Sequence, residues 1–121
     1  MACVLIVEDD DDVREMMELL LWSSGYETMV ARNGQEALER MRQRRPCLVL
    51  LDLQMPVMSG WEFRDRQLLD QALADVPVVC VTAYFDPHDV SERLGVPCLM
   101  KPADLNAVVR EIHTACGPPE G

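Results

Sequence analysis

Short apolar runs alternate along the chain with longer stretches in which apolar residues recur every third or fourth position. The runs at 3–7, 27–31, 47–51, 78–82 and 98–100 are rich in Val, Leu and Ile and too brief for helices, so they predict five strands. Between the first two, Val13, Met16, Met17, Leu20 and Leu21 fall at i, i+3, i+4, i+7 and i+8, the buried stripe of a helix ending near Ser23, Ser24 and Gly25. A second helix is expected after Asn33 and Gly34, with Ala37, Leu38 and Met41 inside, and Arg40, Arg42, Arg44 and Arg45 loading its last turn before Pro46. A third follows Ser59, with Trp61, Leu68, Leu69, Ala72 and Leu73 as its expected buried set, until 75–77 break it. Segment 84–94 leaves room for a short fourth helix with Asp86 at the N-cap and Pro87 at its first position. A fifth carries Leu105, Val108, Val109 and Ile112.

A strand apolar on both faces, such as Cys47-Leu48-Val49-Leu50-Leu51, belongs in a parallel sheet covered by helices on both sides, because alternation would leave one face wet. The fold class is therefore α/β, a doubly wound sheet with five helices. With right-handed crossovers, the flavodoxin-like strand order 2-1-3-4-5 is a natural arrangement, although periodicity alone does not select it. A chain of 121 residues, 49% of them hydrophobic, can bury one core without a disulfide or structural metal. Residues 1–116 are expected to form that domain and 117–121 a flexible tail. Nothing beyond Ala115 is long enough for an output module, and a strand opening beside Met1, if that methionine is native, would put the domain at the front of its protein and not behind a kinase.

Charge narrows the partners. Eleven basic against 21 acidic side chains give a net charge of -10, which disfavours a nucleic-acid backbone and points to proteins or cations. Cys3, Cys47, Cys80 and Cys98 sit in apolar runs, no CxxC pair occurs, and five cysteines are an odd count for a disulfide framework. Free buried thiols and a cytoplasmic location are the expectation. The first apolar run stops at five consecutive acids and lacks a basic leader, and no run reaches membrane-spanning length.

Ligands of open α/β sheets bind where strands end. The first strand ends in Glu8-Asp9-Asp10-Asp11-Asp12, the third in Asp52, the fourth in Thr82 and the fifth in Lys101-Pro102. If strands one and three are neighbours, their backbones lie about 4.8 Å apart, so carboxylates at Asp9 and Asp52 can converge on one cation. Oxygen donors with no nearby His or Cys suit Mg²⁺, or Mn²⁺, and not zinc. Asp52 can then attack phosphorus as a nucleophile, while the Thr82 hydroxyl and the Lys101 ammonium compensate the added charge. Each group alone has a bland explanation: an acidic run caps a helix, a strand-end hydroxyl bonds backbone, and a lysine before proline is solvated. Four together, one per strand end, are specific.

Those residues, with Leu51-Asp52-Leu53-Gln54-Met55-Pro56, Ser59-Gly60, Val81-Thr82-Ala83 and Met100-Lys101-Pro102, resemble the receiver domain of two-component response regulators from Val4 to about Ala115. The resemblance implies that Asp52 is the phosphorylation site, that Asp9 binds the metal directly, Glu8 through water and Gln54 through its backbone carbonyl, and that Thr82 and Lys101 are the switch hydroxyl and lysine. It implies a sensor histidine kinase or phosphotransfer protein as donor, a downstream protein target, and no enzymatic activity beyond self-catalysed phosphorylation and dephosphorylation, while charge and hydropathy point to no direct nucleic acid and no membrane insertion.

Three positions depart from the pattern. Cys98 stands where the family often carries an aromatic switch residue, segment 84–94 is short, and Tyr84 follows Thr82 by two. Signalling is therefore expected to work through reordering of 83–95 more than through an aromatic rotamer, with Tyr84 placed to slow loss of the phosphoryl group. Two other functions stay open on these residues. One is a pseudo-receiver that binds partners without phosphorylation; the other is an aspartyl-nucleophile phosphohydrolase, against which stands Gln54 where such enzymes carry a second acid.

Overall fold

The structure, a computed structural model, describes residues 3–53, 55, 57–82, 87–100 and 105–118, without the side chains of Thr82, Pro87, His88 and Leu105. Five strands and five helices alternate: β1 (Cys3–Val7), α1 (Asp11–Ser23), β2 (Glu27–Ala31), α2 (Gly34–Gln43), β3 (Leu48–Leu51), α3 (Gly60–Leu69), β4 (Val78–Thr82), α4 (Pro87–Leu94), β5 (Cys98–Met100) and α5 (Leu105–Cys116). The strands form one parallel sheet in the order β2-β1-β3-β4-β5, as expected. This is a flavodoxin-like arrangement, and every strand ends at the same edge.

Both faces of the sheet are dry, and the pleat divides the strands between them. Leu5, Val7, Val49, Leu51, Val78 and Cys80 face Ala37, Leu38 and Met41 of α2, Phe63 of α3 and Val90 and Leu94 of α4. Their neighbours Val4, Ile6, Leu48, Leu50 and Val79 face Leu21 of α1 and Val108 and Ile112 of α5. The caps follow the sequence. Asp10 accepts from the N–H groups of Asp12 and Val13, Asn33 from that of Glu36, and Ser59 from that of Glu62.

Several expectations are corrected. In α1 only Leu21 is fully buried, and Met16 is 56% exposed, so the stripe is narrower than its spacing suggests. Arg44 is the C-cap of α2 and Arg45 lies beyond it. Arg44 pairs instead with Glu27 at 2.8 Å, and Arg45 donates to Asp75 and to the Ala72 carbonyl, both at 2.6 Å. In α3 the residues hidden from solvent are Gly60, Phe63 and Gln67, while Leu68 and Leu69 are exposed and Trp61 is half-buried; past the helix end Ala72 is exposed and Leu73 is buried as expected. Gln67 tolerates burial because its amide is satisfied: Nε2 donates to the carbonyls of Leu73 and Val76 at 3.0 Å, and Oε1 accepts from Arg64 at 2.8 Å.

The cysteine expectation also fails in part. Cys47, just before β3, and Cys116, the last residue of α5, are joined as a disulfide, and Cys3, Cys80 and Cys98 are outside any disulfide. Helix α4 begins at Pro87 as expected; its expected cap Asp86, and Tyr84, lie outside the described residues. Of the expected tail, Gly117 receives a hydrogen bond from the Tyr26 hydroxyl at 3.1 Å, and 119–121 lie outside the described residues. No helix among the described residues is long and apolar enough to cross a membrane.

Candidate functional site

Strand pairing builds the site. Val7, the last residue of β1, pairs with Leu51, the last of β3, so the residues that follow each strand emerge side by side. Two backbone bonds fix them: Asp52 N–H donates to the Val7 carbonyl and Glu8 N–H to the Ala31 carbonyl, each at 3.0 Å. The carboxylates of Glu8, Asp9 and Asp52 consequently converge, with one oxygen from each inside a 4.8 Å circle. Glu8 and Asp52 are buried, at 4% and 7% exposure, and Asp9 lies at the solvent edge.

The Asp9 carboxyl is held above its ordinary value by partial desolvation first and by the adjacent Glu8 carboxylate second, against a smaller pull from a hydrogen bond with Asp52. A divalent cation held here would compensate the charge of the three carboxylates. The donors are all oxygen, with no nitrogen or sulfur among them, which fits a hard ion of the Mg²⁺ class.

The surroundings hold the cluster in place. Asp10 N–H reaches a Glu8 carboxylate oxygen at 3.4 Å, and Arg14 donates to the Glu8 carbonyl at 3.0 Å while also pairing with Asp11. Opposite, the N-terminus of α3 closes on β3 through Gly60, whose N–H bonds the Leu53 carbonyl at 2.9 Å. A Cβ on Gly60 would come within 2.5 Å of the Asp52 carbonyl oxygen and 2.7 Å of Leu53 Cα, so only glycine permits this approach. On the α1 side, Val13, Met16, Met17 and Leu20 line a cavity of about 360 Å³ that Glu8 and Asp52 also border.

Of the sequence-predicted site residues, Glu8, Asp9 and Asp52 are brought together. Thr82 ends β4 with its backbone in register with Met100, the residue before Lys101. The Thr82 side chain, the Gln54 carbonyl and Lys101 lie outside the described residues. Arg14 and Gly60 were not singled out as site residues. The signal for Gly60 was its place after the Ser59 cap; Arg14, six residues from the carbonyl that it meets, left none.

A family model described as the response regulator receiver domain matches residues 4–113. The polar-differentiation response regulator DivK of Brucella anthropi is 43% identical over 117 residues, covering 94% of this chain and 95% of that protein. DivK of Brucella ovis is 41% identical with the same coverage. Among solved structures, the chemotaxis protein CheY4 of Vibrio cholerae superposes with a TM-score of 0.84 at 28% identity, covering 95% of this chain and 98% of that one. The signal receiver domain of a signal transduction histidine kinase from Syntrophus aciditrophicus gives 0.86 at 30% identity, covering 95% and 89%.

Proposed function

The chain belongs to the response regulator receiver family of two-component signalling, and from that premise we propose that Asp52 is its phosphoacceptor and that Glu8, Asp9 and Asp52 hold the cation that assists the transfer. The observation that carries this reading is the convergence of the three carboxylates at the shared edge of β1 and β3. A bound Mg²⁺ supplies charge neutralisation for the approaching anion. The remaining work falls to the chain. An Asp52 oxygen forms a bond to phosphorus as the phosphorus–nitrogen bond of a phosphohistidine donor breaks; the departing ring keeps the electron pair and, with a proton on its other nitrogen, leaves as neutral histidine, and an acyl phosphate forms here.

Asp52 is pre-positioned for this by its backbone bond to Val7 and by the wall that Gly60 provides. Thr82, closing β4, offers a hydroxyl to one phosphoryl oxygen, and Lys101, next in sequence after β5, an ammonium to another. Asp9 is the direct metal ligand, Glu8 acts through water, and the Gln54 carbonyl completes the set. The donor is a sensor histidine kinase or phosphotransfer protein, and the phosphorylated state is read by a protein target in the cytoplasm. The near full-length match to the DivK regulators supports a signalling role exercised through protein partners.

Acetyl phosphate with Mg²⁺, followed by intact-mass measurement, tests the assignment. The wild type is expected to gain one phosphoryl group, and Asp52→Ala none. Absence of a gain in the wild type would favour a pseudo-receiver, and steady turnover of unrelated phosphate esters a phosphohydrolase.

A further inference from the structure

We propose that Cys47 and Cys116 form a reversible thiol–disulfide modification site that bolts the last turn of α5 to the base of the sheet. The two are joined across 69 residues with Cα atoms 5.3 Å apart, a separation that a disulfide accepts. They lie at the edge opposite the carboxylate cluster, since Cys47 precedes the strand that Asp52 follows and α5 runs back toward the strand starts. Cys47 is fixed there by its N–H bond to the Cys3 carbonyl at 2.8 Å.

Exposure separates this pair from Cys3 and Cys80, while Cys98 is partly buried like the pair but lies apart from both on the edge strand β5. Cys3 and Cys80 are fully buried, whereas Cys47 and Cys116 are each half-buried, so a thiolate from solution can reach their bond. Burial also pushes the Cys3 and Cys98 thiols up, which leaves them poor nucleophiles for exchange. Formation of the bond removes one electron pair and two protons from the two thiols. A low-molecular-weight disulfide such as oxidised glutathione accepts them through a mixed disulfide on one cysteine and departs as two thiols; a dithiol reductant runs the sequence backwards.

The bond has a mechanical task. Helix α5 grips the sheet through Val108 and Ile112, and among the described residues its end rests on the same cluster through Ala115 and Cys116, with the Tyr26 bond to Gly117 beyond. Without the covalent link, that turn is held by the kind of contacts that open first at chain ends. With it, opening the turn requires unfolding a closed loop, whose freedom in the unfolded chain is already reduced.

The full chain, equilibrated in glutathione buffers from reducing to oxidising and then unfolded in N-ethylmaleimide, gives the test. All five cysteines should alkylate at the reducing end and three, Cys3, Cys80 and Cys98, at the oxidising end, with digestion yielding a cross-linked peptide of Cys47 and Cys116. Reduction should lower the melting temperature by roughly 10 °C or more and speed amide exchange over 110–117. Cys47→Ser and Cys116→Ser should each melt with the reduced wild type and ignore the buffer. Five alkylated thiols throughout, a different cysteine pair in the cross-link, or equal melting of the two states overturns the proposal.

Discussion

Val57 takes a φ of 67°, the left-handed region that a β-branched side chain enters at a cost of about 1–2 kcal/mol. It sits in the connection between Asp52 and α3 and is 75% exposed, so burial does not offset the strain. Val57→Gly is expected to raise the urea midpoint by the equivalent of about 1 kcal/mol without changing the slope, because glycine adopts this backbone freely. Asp9 carries the opposite kind of cost. Its folded-state pKa is raised, so the folded chain binds the proton more tightly than the unfolded one, and the associated stability is present at low pH and lost as pH rises through the carboxylate range. In EDTA, Asp9→Asn should therefore melt higher than wild type at neutral pH, with the difference shrinking toward acid. A constant difference from pH 3 to 7 would exclude ionisation of the partly desolvated Asp9 carboxyl as its cause. The acids of the site were legible because each follows a strand end. Gly60 as the wall of Asp52 and Gln67 as a core residue were not, since both depend on partners that only the fold supplies: the Asp52 carbonyl for one, the Leu73 and Val76 carbonyls for the other.

At the scale of elements, the short α4 is tied down at one end. Arg64 of α3 donates to the carbonyl of Leu94, the last residue of α4, at 3.4 Å, and Arg93 lies 4.6 Å above the Trp61 ring. Val90 and Leu94 are buried against the sheet. The anchored end lies far along α4 from Thr82, so a response to phosphorylation has its freedom nearest Pro87. With a beryllofluoride mimic and Mg²⁺, amide exchange is expected to change most over 83–90 and least over 91–95, and Trp61→Ala should extend the change to the second half. An unchanged 83–95 would exclude reordering of this segment. Cys98 is partly buried and in register with Cys80 of the neighbouring strand. Strands were the most readable elements, because an apolar run without alternation has one natural place, between two helical layers. Helix α3 was the least readable: its longest apolar pair, Leu68 and Leu69, faces solvent, and one aromatic, Phe63, does most of the packing.

For the whole molecule, charge and topology decide different things. A net charge of -10 resists compaction, and it is answered in part by ion pairs from Arg14, Arg42, Arg44 and Arg45. A divalent ion at the three carboxylates should then stabilise the fold by mass action, about 2.7 kcal/mol at a hundredfold excess over its dissociation constant. Thermal melts in MgCl₂ should exceed those in NaCl of equal ionic strength, and Asp52→Asn should abolish the difference; equal melts in the two salts would refute a specific site. The disulfide stayed hidden in the sequence because Cys47 and Cys116, 69 positions apart, become neighbours only once α5 folds back to the base of the sheet. Strand order has a further effect, on timing. β1 precedes β2 and β3 in the chain yet lies between them, and Glu8, Asp9 and Asp52 all come before β4 and β5 in the order of synthesis. The proposed cation ligands, Gln54 included, are thus synthesised before the proposed hydroxyl and ammonium of Thr82 and Lys101.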